Sequence, residues 1–242
     1  MSIEYRHITI NGLRVEIVRK DIKNLHLGVY PPNGRVRVAA PLPVSDDAVR
    51  LAVIGKLGWI KRHKARFEDQ PRQSKREMVN GESHYFLGRR FRLRVVENTG
   101  ASRVILKSPT RLELHTRPNA TTAQRERLLN KWYRQQLQTL LVPLVAKWEA
   151  VFGIQVAEWR VKKMKTKWGA CNVSAARIWL NLELAKKPVQ CLEYIVVHEI
   201  VHLIERNHND RFIAIMNKHL PQWRLHRHKL NSEPLAHDTW TY

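Results

Sequence analysis

Residues 188–204 read Pro188-Val-Gln-Cys-Leu-Glu-Tyr-Ile-Val-Val-His198-Glu199-Ile-Val-His202-Leu-Ile204, and the fold follows from this stretch outward. Proline suits the first turn of a helix, where its missing N–H would have no partner in any case. Apolar residues then occupy almost every side (Leu192, Ile195, Val196, Val197, Ile200, Val201, Leu203), so the helix is expected to be buried. His198 and His202 are four apart on one face, about 5–6 Å at Cβ, and two imidazoles so placed can reach one metal ion. Glu199 lies about a third of a turn away, where it can touch a water in the metal's open position, as a general base must. Two histidines and a glutamate in so apolar a helix need partners, because unpaired buried polar groups cost several kcal/mol.

The third ligand is expected at His208. Arg206-Asn207 follows the apolar run, and asparagine tolerates the left-handed conformation that ends a helix and turns the chain back. Glu205 competes for the role but lies about 10 Å along the axis from His198, so His208 is preferred. Three histidines with an open position are the ligand set of a catalytic zinc site, whereas structural sites close with four protein ligands. The spacing equals the metzincin pattern H-E-x-x-H-x-x-G-x-x-H, yet Glu205 stands where that pattern has glycine.

Upstream, Val161-Lys-Lys-Met-Lys165 and Arg177-Ile-Trp-Leu-Asn-Leu-Glu-Leu184 read as strands around a loop with Trp168-Gly169. Lys165 and Lys167 beside Trp168 make a candidate substrate-binding surface for phosphate or carboxylate. His226 and His228 are weaker candidates for stabilising a transition state. Thr121 or Thr122 caps a long helix running to about Trp148, apolar at Leu128, Leu129, Trp132, Leu137, Leu140 and Leu141, with Pro143 as an expected kink. Earlier residues read mostly as short strands: a hairpin around Asn11-Gly12, alternation at residues 25–29 and 36–39, and a helical stretch from Ser45 to Phe67. After the polar connector at residues 70–77, alternation returns around Gly88, at Val104-Ile-Leu106 and at Leu112-Glu-Leu-His115. No internal repeat is evident in the sequence.

Met164-Lys-Thr-Lys-Trp-Gly-Ala-Cys-Asn172, Ile178-x-Leu-Asn181, Val197-His-Glu-Ile-Val-His-Leu-Ile-Glu-Arg-Asn-His-Asn-Asp-Arg-Phe212 and Leu220-Pro-Gln-Trp223 resemble the YgjP-like metallopeptidases, relatives of the SprT-like zincins. The resemblance implies a zincin-like catalytic domain with His198, His202 and His208 as zinc ligands and Glu199 as base. Thr166, Lys167, Ala170 and Asn172 depart from that family's usual Lys-Ser-Arg-Trp-Gly-Ser-Cys-Ser. The expected fold class is α+β: a strand-rich basic N-terminal domain (1–118), a connecting helix (119–152) and a zincin-like metallohydrolase domain (153–242).

Composition bounds the function. The 242 residues carry 43 Lys and Arg against 21 Asp and Glu, a net +22, so a polyanionic partner such as a nucleotide or nucleic acid is expected. Cys171 and Cys191 match no zinc-ribbon or redox spacing, which fits a reducing compartment. With no long apolar run, no membrane association and a cytoplasmic location are expected. Zinc-activated water can attack a peptide carbonyl or a phosphoryl group, so the ligands leave the substrate open. A metallopeptidase acting on protein or peptide is favoured. The alternatives are a nucleoside triphosphate pyrophosphohydrolase using the same zinc, a DNA-associated protease, or a nucleic-acid binding module with structural metal, which would leave Glu199 unexplained.

Overall fold

The computed structural model describes residues 5–30, 34–68, 76–164 and 167–232. The protein is a mixed α+β chain of two compact units, with the boundary between 72 and 73. No helix among the described residues is long and apolar enough to cross a membrane.

In the first unit, β1 (Tyr5–Ile10) and β2 (Leu13–Lys20) form the expected hairpin. Asn11 and Gly12 both take positive φ (47° and 75°), the backbone that a tight two-residue turn between right-twisted strands demands. With β3 (His26–Tyr30) and β4 (Arg35–Pro41) they make a sheet ordered β1-β2-β4-β3, in which β2 and β4 run parallel. The expected single helix from Ser45 is two, α1 (Asp46–Ile54) and α2 (Leu57–Glu68), because Gly55 ends the first. Ser45 caps α1 by accepting from the Ala48 amide (3.2 Å). The helices cover one face of the sheet, where Val15, Ile17, Val36, Val38 and Ala40 pack with Val49, Val53 and Ile60.

The second unit opens with β5 (Ser83–Phe86), β6 (Arg89–Glu97), β7 (Arg103–Ser108) and β8 (Arg111–Thr116), ordered β5-β6-β8-β7 with β6 and β8 parallel. This connectivity repeats that of the first sheet, a repetition of topology that the residues do not display. Then α3 runs from Thr122 to Phe152 without interruption at Pro143. Thr121 and Gln124 form a capping box at its start, and Gly153 (φ 64°) closes its end in the left-handed region.

The helix expected to be a connector is instead the centre of a core. Leu129, Trp132, Tyr133, Leu137, Leu141, Val145 and Trp148 are buried along it, and one apolar cluster joins Phe86, Phe91, Leu93 and Leu114 of the sheet to the residues beyond 156. So β5–β8 share a core with α3, rather than grouping with the strands of the first unit as the 1–118 assignment had them. A helix with that many large apolar groups cannot span solvent as a linker; it needs cover on several sides.

The rest comprises β9 (Glu158–Lys162), β10 (Gly169–Asn172), β11 (Arg177–Asn181), a 3-10 turn at Leu182–Lys186, α4 (Val189–Val201), α5 (Asp210–His219) and α6 (Trp223–Ser232). The small sheet is ordered β10-β11-β9, so β10 is an edge. The β5–β6 turn braces the start of α4: the Leu87 and Gly88 amides donate to the Ala185 and Lys186 carbonyls (2.9 and 3.1 Å). A β-carbon on Gly88 (φ 78°) would meet Pro188 Cγ at 2.7 Å, so only glycine allows this approach.

Candidate metal centre

Pro188 stands at the N-cap of α4, one residue before the expected first turn, and the helix is buried almost all round. It ends at His202. The Leu203 and Ile204 amides donate to the Ile200 and Val201 carbonyls (both 2.9 Å), a tightening to i→i+3 bonds that closes the last turn. Asn207 was expected to reverse the chain in a left-handed conformation. It is absent from the residues with positive φ, and its amide instead donates to Glu205 Oε1 (3.2 Å). The return of His208 rests on that turn and on Asn209, which caps α5 by accepting from the Phe212 amide (3.0 Å).

The outcome is a cluster in which one ligand atom from each of His198, His202 and His208 lies within 4.8 Å of the others. The Nε2 atoms of His198 and His208 are 3.0 Å apart. The Glu205 carbonyl accepts from His202 Nδ1 (3.2 Å), which fixes that ring's tautomer and leaves its Nε2 a lone pair. Glu205 therefore serves through its backbone, and its carboxylate is engaged with the Asn207 amide. Burial and the neighbouring imidazoles push the His198 pKa down to about 3, and burial lowers that of His202, so both rings are neutral donors. His198 Nδ1 is buried with no hydrogen-bond partner among the described residues. Phe212, which closes a stretch resembling the family but has no role assigned from the sequence, lies against all three rings, with centroids 5.1, 4.9 and 4.7 Å from His198, His202 and His208.

Glu199 is buried beside this cluster and lines the same cavity. Burial raises its pKa to about 8, with Lys167 acting in the opposite sense. The cavity, about 850 Å³, is walled by α4, by β10 and the residues after it, and by Lys167, Trp179 and Arg206. Cys171 faces it as a neutral thiol, its pKa pushed to about 11 by burial and the Glu199 charge.

The other expected site residues fall as follows. Lys165 lies outside the described residues. Lys167 lines the cavity, whereas Trp168 packs against the core with Lys187 Nζ 5.7 Å from its ring centre, and the cavity's indole is Trp179. Neither His226 nor His228 lines it. Asn181 holds the loop in place from beneath: its Nδ2 donates to the Met164 and Lys167 carbonyls (both 2.8 Å), and its Oδ1 accepts from the Met164 and Glu183 amides (3.3 and 3.2 Å). In the sequence Asn181 ends the family-resembling Ile178-x-Leu-Asn181, with nothing to say that its amide spans three segments.

Three imidazoles converging in an open cavity beside a buried carboxylate define a candidate metallohydrolase centre. The YgjP-like metallopeptidase domain model matches residues 23–233, so the chain belongs to the YgjP-like family. That family is one of metal-dependent peptidases, and the histidine cluster offers the metal a place. A search of curated proteins finds no match to the chain.

Proposed function

We propose that this protein is a zincin-like zinc peptidase in which His198, His202 and His208 hold the metal and Glu199 is the general base. The convergence of the three imidazoles on the cavity that Glu199 lines carries the reading. The donor set fits the ion: neutral nitrogen ligands suit zinc, and tetrahedral bonds of about 2.0–2.1 Å put ligand nitrogens about 3.3 Å apart, near the separation of His198 and His208 Nε2. Three protein ligands among the described residues, rather than four, favour a catalytic over a structural site.

A bound zinc would supply Lewis-acid chemistry, polarising the scissile carbonyl and making water acidic near neutral pH. With a bound cation's charge offsetting the burial that raises its pKa, the Glu199 carboxylate would accept the proton of the attacking water and deliver it to the leaving amine. The Glu205 carbonyl keeps His202 in the tautomer that ligation needs. Edge strand β10 forms one wall of the cavity and pairs only with β11 among the described residues, so an extended peptide can lie along its open edge.

A second reading has its own observation: Lys167, Arg206 and Trp179 around the cavity suit a nucleoside triphosphate. Metal analysis of the purified protein, followed by parallel assays of unstructured peptides and a triphosphate panel, decides. Zinc at one per chain and chelator-sensitive peptide cleavage support the peptidase. Metal-dependent diphosphate release with inert peptides would replace it.

A further inference from the structure

The helices of the first unit cover only one face of the sheet β1-β2-β4-β3. Arg6 and Arg19 pair with Asp46 of α1 on that side, which places their strand neighbours on the other. The opposite face presents Tyr5 and His7 of β1, Arg14 of β2, Arg35 and Arg37 of β4, and His26 and Tyr30 of β3 in register. Tyr5 is 57% exposed, and His7, Arg14, Arg35 and His26 are exposed. Glu16 is the one carboxylate on this face among the described residues. It accepts both Arg37 Nε and Nη2 (3.0 and 2.9 Å), a fork that fixes the guanidinium plane. The Tyr30 ring is laid back over Gly28, where a β-carbon would meet it at 2.6 Å. Tyr5, His7, Arg14 and Glu16 precede the stretch matched by the family.

We propose that this face binds single-stranded nucleic acid, with the tyrosine and histidine rings stacking on bases and Arg14, Arg35 and Arg37 meeting phosphates. Three guanidiniums against one carboxylate leave the face positive, the complement of a polyanion. Rings interleaved with cations across a sheet suit a strand whose bases are unstacked and offered one by one. A duplex fits poorly. Four strands at about 4.8 Å spacing make a surface about 14 Å across, too wide for a major groove of about 12 Å, and a paired base shows no ring face to stack upon.

Fluorescence anisotropy with the full chain tests this, using labelled single-stranded RNA and DNA of about twelve nucleotides and a duplex of equal length, between about 50 and 200 mM salt. Both single strands should bind at least about tenfold more tightly than the duplex. Tyr5→Ala should weaken them by about fivefold or more, the loss of one stacked base, while Tyr5→Phe retains affinity. Arg14→Gln should lower the slope of log affinity against log salt by about one. Tyr5 and Arg14 are exposed, so both variants should keep the parent melting temperature. Equal affinity for the duplex, or unchanged single-strand affinity in a Tyr5→Ala, Tyr30→Ala double variant that still melts as the parent does, overturns the proposal.

Discussion

A β-carbon placed on Gly169 would lie 2.3 Å from Glu199 Oε1. The backbone of β10 therefore lies against the carboxylate, and a side chain at 169 would drive it toward the cavity it lines. Gly169→Ala should push Glu199 out of position and lower kcat by about 10²-fold, the scale expected when a reacting group is misplaced by about an ångström. Zinc content should be unchanged. Steady-state kinetics with metal analysis on the same sample check both.

Glu199→Gln keeps the shape of the side chain and removes the carboxylate proposed as the base. Turnover should fall by about 10²–10⁴-fold with metal retained, and near-normal turnover in a folded, metal-loaded variant would take the role away from Glu199.

Asn181→Ala removes an amide that satisfies two carbonyls and two amides beneath the cavity loop. Leaving such buried groups unpaired should cost about 2–3 kcal/mol, read as a shift in the urea midpoint. Because Asn181 touches the Lys167 carbonyl, KM should rise in the same variant.

Phe212→Ala withdraws the surface against which all three histidines pack. The loss of a buried aromatic should destabilise by about 3–5 kcal/mol. Zinc affinity should fall by about 10–100-fold as the rings lose their support, measured by competition with a chromogenic chelator.

His84 sets a pH dependence independent of the metal. Burial holds its pKa down to about 4, opposed by Glu82, whose Oε2 is 3.3 Å away, and aided by Arg76 and Lys186. The unfolded chain binds a proton at this residue near the ordinary histidine value of 6.5, whereas the native state does not until about 4. Between those values the unfolded state holds more protons, so stability falls as pH is lowered, at up to about 1.4 kcal/mol per unit. Denaturant titrations at pH 7, 6, 5 and 4 should show a shallower decline in His84→Gln than in the parent.

Much of the site was legible because its signals are local. The four-residue spacing of His198 and His202, the glutamate between them and the apolar surroundings all lie within a few helical turns, and helix geometry turns spacing directly into proximity. The Asn11-Gly12 hairpin, the caps at Ser45 and Thr121 and the mixed α+β class were readable for the same reason. His208 was expected in place but by the wrong device, since a left-handed asparagine and a side-chain-bonded turn leave the same trace in a sequence.

Only the tertiary structure settled what depends on groups distant in the chain. Phe212 reaches the histidines because Asn209 starts a new helix there, Asn181 ties a loop that precedes it by some fifteen residues, and Gly169 meets Glu199 across thirty. The assignment of α3 to a core instead of a joint was of this kind. Its apolar residues require burial, a requirement written in the residues themselves, but which surface meets it is decided by how the sheet β5–β8 and α4 close around it, and packing between distant segments leaves no periodicity to read.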